Sequence, residues 1–473
     1  MKGFYNSKWQ GEIFRPTRNP FDNSVNDEVP VFGPEVLDDT FAGLEKGRLE
    51  MSTLSREAHQ EIFIKLLEIV TRSKNDLVHL IQVEQGKPLR EAVMEYESGR
   101  HSIEILAENG SLMGSEFKPL AREPASRGHI GFTLRQPHGV VAVLTPMVYP
   151  FLFPVIQVCY ALAVGNSVLL KPATTTPLTA LRLVEMLLEA GLPTSAIACL
   201  PGTGSSLGSA ICADGRVNYL SCMGRLATIR KVRSNCGFFP TQLQWGCVSS
   251  VIVDENTDLD RFVPILMSAA FDNAGQSAFT TSWIAAVDSV HDELVDRLAA
   301  LIGRIKLGNP VDEKTEVGPV GSRISQSRFD RIMETERAAG AEVVCGGTRK
   351  RRLIQPTLLR NCEPGASILT KRESSAPVVG VSRVKNPQDV IKVLSHQRYH
   401  ILSIFTEHEG EAVKSAMDLP FENIYVNLIP NWRDGLICVP GHPPRCGLRS
   451  SYDRVADLSR IRDVVCRDVT GGK

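Results

Sequence analysis

The tightest constraint on what this chain can fold into is a rhythm that starts at residue 139. Gly139–Thr145 is apolar enough for a buried strand, 151–164 reads as an apolar helix, and Ser167–Lys171 is a second short apolar run. Pro177 then opens a helix through Glu189, closed by Ala-Gly-Leu-Pro, and further strands are expected near 197–200 and 217–221. Short, wholly apolar strands separated by helices must be covered on both faces, which calls for a parallel, doubly wound sheet. A second run of the same kind begins near 250. It reads as strand Val251–Asp254, helix 258–273, strand 282–287 and helix 291–306, then helix 323–338, strand 376–383, helix 387–395 and strand 401–405. The expected fold class is α/β, with two such units.

Ahead of this rhythm, residues 52–110 have a helical pattern. Ser55 is placed to cap a helix whose apolar positions Ile62, Phe63, Leu66, Leu67, Ile69 and Val70 recur at helical spacing. Residues 123–136 are polar, alternate weakly and read as a projecting ribbon. At roughly 150 residues per domain, the 473 residues accommodate about three parts, so two α/β units and a ribbon fill the length.

Charge and cysteine narrow the function classes. Lys plus Arg and Asp plus Glu are 53 each, a net charge of zero, which argues against a nucleic-acid or membrane-surface partner. The most apolar stretch, 146–164, is broken by Pro150, Pro154 and Gln157, so no transmembrane span is expected there. The first residues lack an apolar secretory core, and a cytoplasmic location is expected. Eleven cysteines include no Cys-x-x-Cys pair, which removes zinc-ribbon, thioredoxin-like and disulfide-framework readings. His396 and His400 stand four apart, but at a helix-to-strand handover with no carboxylate or thiol between them, so no metal site is expected. Gly202-Thr-Gly-Ser-Ser-Leu-Gly208 invites a phosphate-loop reading, yet its spacing is one residue too long and it does not follow the first strand; it reads as an ordinary turn.

Several motifs resemble the aldehyde dehydrogenase superfamily over nearly the whole chain. Glu84-Gln-Gly-Lys-Pro88, Leu170-Lys-Pro-Ala173, Phe271-Asp-Asn-Ala-Gly-Gln-Ser277, Leu307-Gly-Asn-Pro310, Val317-Gly-Pro319, Glu373-x-x-x-Pro377 and Asn427 all match family landmarks. The resemblance implies a dinucleotide-binding unit at 1–122 and 137–243, a former catalytic unit at 244–449, and an oligomerisation ribbon at 123–136 with 450–473. It further implies a homodimer or tetramer built through that ribbon and a strand within 455–466. The intact background motifs resemble the branch acting on small oxygenated aldehydes such as lactaldehyde, which speaks to ancestry.

The family's chemistry needs a cysteine thiolate to attack the aldehyde, an asparagine amide to hold the oxyanion, and a glutamate to activate water after hydride leaves to NAD(P). Here the nucleophile position is Ala278, the oxyanion position in Thr145-Pro-Met-Val-Tyr-Pro150 is Val148, and the base position in Gln244-Trp-Gly-Cys247 is Gln244. Alanine has no nucleophilic atom, valine cannot donate, and glutamine cannot accept a proton at neutral pH. The late family motif has also decayed, to Cys438–Arg449.

The nucleotide positions are half retained. Lys171 remains, whereas the ribose-gripping glutamate is Thr174 and the pyrophosphate turn has become Cys222-Met-Gly-Arg225. Glu373 stands where the family holds the nicotinamide ribose. Without a carboxylate at 174, NADP fits better than NAD as any bound nucleotide.

Three readings follow. The first is a pseudoenzyme acting as a binding or assembly partner, including a hetero-oligomer with an active relative. The second is a repurposed enzyme taking another small-molecule ligand, a nucleotide or thioester, in the old cleft. The third is residual NAD(P)-dependent oxidation through Cys247; Ser277 is a weaker nucleophile with no base beside it in the sequence.

Overall fold

The computed structural model describes residues 1–108, 116–118, 129–246, 248–371, 374–395, 400–419, 421, 423–430, 441–442 and 451–467. The apolar run at 140 forms the strand Val140–Leu144, every residue of it buried, at the middle of an eight-stranded sheet. Ser167–Lys171 and then Ile197–Cys199 lie parallel on one side, Tyr219–Gly224 and then Thr241–Trp245 on the other. An N-terminal hairpin, Gly3–Tyr5 with Lys8–Gln10, extends the first edge, and Gly441–His442 pairs antiparallel on the second. Strand order therefore reverses between Val140–Leu144 and Tyr219–Gly224, which opens a crevice beyond the carboxyl ends of those two strands. The sheet passes the border expected at 243/244, running through Trp245, and takes its last strand from inside 244–449.

Four helices lie between the N-terminal hairpin and the strand Val140–Leu144: Leu37–Thr53, Arg56–Arg72, Lys74–Gln85 and Leu89–Glu108. Ser55 caps the second as expected, its Oγ accepting from the Ala58 amide at 3.2 Å, and Ile62, Phe63, Leu66, Ile69 and Val70 form the buried face. The helix Leu37–Thr53 lies ahead of the segment expected to be helical and buries Leu37, Phe41, Leu44 and Met51. The apolar segment after residue 151 is a helix broken by a π turn at Val155–Cys159, packed in the core. Among the described residues no helix is long and apolar enough to cross a membrane.

The second unit has a seven-stranded sheet. Its middle strands Val248–Val253 and Thr281–Val287 are buried throughout and parallel. Val378–Val384 and Thr357–Arg360 continue one side, His400–Phe405 and Asn423–Val426 the other, with Glu342–Cys345 antiparallel at the edge. The third sheet is antiparallel: His129–Pro137 lies between Glu116–Lys118 and Ser459–Arg467, the last pairing running from Pro137 opposite Ser459 to His129 opposite Arg467. The expected late strand is thus present, on the expected ribbon, while 119–128 and 468–473 lie outside the described residues.

Candidate functional site: two cavities and the wall between them

The crevice at the strand-order reversal holds a cavity of about 700 Å³. It brings together Val148, Lys171, Thr174, Arg225 and Ala278, five of the positions singled out in the sequence. Lys171 ends its strand buried, donates from Nζ to the Pro172 carbonyl at 2.7 Å, and is pulled down to about 8 by loss of solvent. Thr174 donates to the Gly202 carbonyl at 3.1 Å. Arg225 occupies the cap position of helix Leu226–Asn235, and Lys231 lines the same cavity from that helix. Among the described lining residues there is no carboxylate, so the cavity favours an anion. The turn at Gly204–Gly208 is capped by Thr203, and Gly204, Ser205 and Gly208 also line the space.

Gln244 stands apart from this group. It is buried on Thr241–Trp245, opposite Met223 and Gly441, and is not among the residues lining the cavity. Glu373, Cys247, His396 and the 438–440 and 443–449 stretches of the late motif lie outside the described residues. Among the described residues no group of three or more His, Cys, Asp and Glu side chains could hold a metal ion.

A second cavity, of about 470 Å³, lies on the other side of Val148-Tyr149 and Ser277-Ala278. Its polar lining comes from a feature that sequence reasoning missed. Lys87, Glu91 and Glu95 follow one another at four-residue spacing, and all three are buried. Lys87 Nζ donates to Glu95 Oε2 at 2.6 Å and sits 3.6 Å from the centre of the Tyr149 ring. Glu95 Oε1 accepts from the Phe151 amide at 2.8 Å and the Leu152 amide at 3.2 Å. Glu91 accepts from the Asn273 amide at 2.8 Å, and burial together with nearby Asp272 pushes its carboxyl up to about 8. The available signal was the i, i+4 repeat of ionisable residues through the Glu84-x-Gly-Lys-Pro motif.

These groups hold a strained loop. Asn273, Ala274 and Gly275 all have positive φ (56°, 51° and 67°), a left-handed run immediately before Gln276-Ser277-Ala278. Each of the two non-glycine residues costs roughly 1–2 kcal/mol in that conformation. A Cβ on Gly275 would sit 2.2 Å from the Ala376 carbonyl, so only glycine fits. Gln85 donates to Asn273 Oδ1 at 2.7 Å, Gln276 Nε2 to the Asn273 carbonyl at 2.9 Å, and the Gly321 amide to Gln276 Oε1 at 2.9 Å. Tyr149, beside Val148, is likewise at positive φ (54°).

The wall itself alternates. Val148 and Ala278 face the 700 Å³ cavity, while Tyr149 and Ser277 face the smaller one, where the Tyr149 hydroxyl donates to Ser277 Oγ at 3.3 Å. The Phe279 amide also reaches Ser277 Oγ, at 3.5 Å, so both contacts are donors and neither draws the serine proton away. Ala278 and Phe279 belong to an apolar cluster with Leu152, Phe153, Ile156, Met223 and Ile401, against which Val148 packs. The arrangement can bind an anion on one side and a small polar molecule on the other, with hydrocarbon between them.

Residues 8–437 match the model of the aldehyde dehydrogenase family. A 3-sulfolactaldehyde dehydrogenase of Priestia aryabhattai is 29% identical over 381 residues, covering 80% of this chain and 79% of that protein. A lactaldehyde dehydrogenase of Methanococcus aeolicus is 24% identical over 91% of this chain and 92% of its own length. Among solved structures, aldehyde dehydrogenase 21 of Physcomitrella patens superposes with a TM-score of 0.93 at 23% identity, covering 99% of this chain and 98% of that one. Glyceraldehyde-3-phosphate dehydrogenase of Methanocaldococcus jannaschii, complexed with NADP, gives 0.89 at 24%, covering 97% and 99%. The chain belongs to the aldehyde dehydrogenase family.

Proposed function

We propose that this family member no longer oxidises aldehydes and serves as a binding or assembly partner. One observation carries the reading: the positions that the family motifs give to the oxyanion donor and the nucleophile hold Val148 and Ala278, which share the larger cavity, Ala278 within an apolar cluster and Val148 packed against it. Neither side chain can bond covalently to a carbonyl carbon or donate to an oxyanion. Gln244, at the position the family motif gives to the base, cannot take a proton from water at neutral pH. The relatives carry the names of dehydrogenases, so the reading rests on this chain's own residues at 148, 244 and 278.

A retained nucleotide site is the second reading, favoured by the cations Lys171, Arg225 and Lys231 and by Thr174 in place of a carboxylate. It makes NADP the better candidate. Assembly as a homodimer or tetramer, or with an active relative, is supported by Ser459–Arg467, which leaves Ile461 and Val465 exposed on one face.

The test incubates the full chain with lactaldehyde, 3-sulfolactaldehyde and succinate semialdehyde, each with NAD or NADP, and follows nucleotide reduction. No turnover above the protein-free rate is expected, and Cys247→Ser is expected to change nothing. Turnover in the wild type overturns the reading, and its loss in Cys247→Ser assigns it to that thiol. Purification from native cells separates the assembly versions: a self-complex alone removes the hetero-oligomer.

A further inference from the structure

Among the described cysteines, Cys212 and Cys236 are set side by side by the fold. Cys212 lies in the short helix Ser209–Ala213, is buried, and lines the 700 Å³ cavity. Cys236 directly follows helix Leu226–Asn235 and is half-buried. The residues on either side of Cys236 are both tied to the other helix. Asn235 Nδ2 donates to the Ser209 carbonyl at 2.8 Å, and the Gly237 amide donates to the carbonyl of Cys212 itself at 3.1 Å. That second bond sets the backbones of the two cysteines side by side. The two thiols are close enough to perturb one another electrostatically.

The pair is polarised. Its contact with Cys212, helped by Arg233, draws Cys236 below the ordinary thiol range, while the same contact and loss of solvent push Cys212 up. Cys222, nearby, is fully buried and its thiol is pushed up by loss of solvent, so it stays protonated. A metal reading fails, because among the described residues no group of three or more potential ligands forms a site.

We propose that Cys212 and Cys236 form a peroxide-reactive dithiol that closes to a disulfide between the two helices lining the larger cavity. Cys236 is the attacking sulfur. Its thiolate forms an S–O bond with one oxygen of hydrogen peroxide as the O–O bond breaks, and the departing hydroxide takes a proton to become water. Cys212 then attacks the sulfenic sulfur: the S–S bond forms, the S–O bond breaks, and the leaving hydroxide carries off the Cys212 proton as a second water. The two thiols lose two electrons, which peroxide accepts. The bond would tie the helix bearing Ser209 and Cys212 to the one bearing Lys231, Val232 and Asn235, all five lining the cavity. This site stands whether or not the chain oxidises aldehydes.

The experiment uses the full chain carrying Cys466→Ser, which removes an exposed thiol that would join copies together. Reduced protein is first alkylated with iodoacetamide at neutral pH. Cys236 is expected to react at least ~10-fold faster than Cys345, a similarly half-buried thiol pushed the other way by loss of solvent. Hydrogen peroxide is then added, and peptides are mapped with and without reductant. A peptide linking 212 to 236, released by reductant, is the expected product. With Cys212→Ser the oxidation stops at a sulfenic acid on Cys236, captured by dimedone. Equal alkylation of Cys236 and Cys345, or oxidation of Cys236 to sulfinic acid with no link to Cys212 in the parent protein, overturns the proposal.

Discussion

On one side of the wall formed by Val148, Tyr149, Ser277 and Ala278, carboxylates and cations are packed together out of solvent; on the other, three cations line a larger space with no carboxylate among the described lining residues. The smaller cavity's two buried glutamates are committed to backbone. Glu95 holds the turn at Phe151 and Leu152, and Glu91 holds the Asn273 amide. The contrast teaches that the smaller cavity's buried groups brace the backbone on either side of the wall, whereas the larger cavity's cations line its open space.

That contrast can be broken most sharply at Lys87. Lys87→Met leaves Glu95 buried without its counter-charge and is expected to cost ~3–5 kcal/mol in urea unfolding. A cost below ~1 kcal/mol would mean the smaller cavity is wet and its charges are screened.

Next comes Glu91. Its carboxyl is raised in the folded protein, so between the ordinary carboxylate range and about pH 8 the native state holds a proton that the unfolded chain has lost. Stability therefore falls as pH rises through that window, by at most ~1.4 kcal/mol per pH unit for one such group. Glu91→Gln is expected to flatten the fall by about one proton, read from unfolding free energies at a series of pH values. An unchanged slope would show that Glu91 is ionised in the folded state.

The larger cavity is probed by nucleotide binding. Arg225→Ala is expected to weaken NADP binding about 10-fold by calorimetry, near 1.4 kcal/mol, and to reduce its salt dependence. Equal affinity in both proteins would place Arg225 in surface capping alone. The smallest effect belongs to Thr174→Glu. A carboxylate there should weaken NADP a few-fold while leaving NAD level or better, because only the 2′-phosphate is repelled. Parallel changes for both nucleotides would remove residue 174 from ribose recognition.

Much of this was legible in the sequence, for physical reasons. Strands such as Ser167–Lys171 and helices such as Arg323–Ala338 announce themselves by local periodicity, and both have the expected bounds. Lys171, Thr174, Arg225, Val148 and Ala278 could be named because motifs carried them, and they share one cavity. Helix Leu37–Thr53 was missed; its apolar face is diluted by acidic and small residues, and its burial depends on a strand and turn about 150 residues later. Lys87, Glu91 and Glu95 were missed as a cluster because charges repeating every four residues into a helix ordinarily mark a solvated face. What buries them is Tyr149 and the 272–279 loop, brought in by pairings that no local pattern records.

The pairing of Ser459–Arg467 with His129–Pro137 has a consequence for how the molecule is made. Leu458 and Asp457 also accept from Asn166 and His138, so a seam of the first unit is closed by chain that follows almost the entire second unit. During synthesis, the ribosome must pass residue 467 before this seam can form, while its apolar residues wait uncovered. Closing a loop that long is slow to begin and cheap to lengthen, so insertions between the two strands are tolerated far better than losses at residues 459–467.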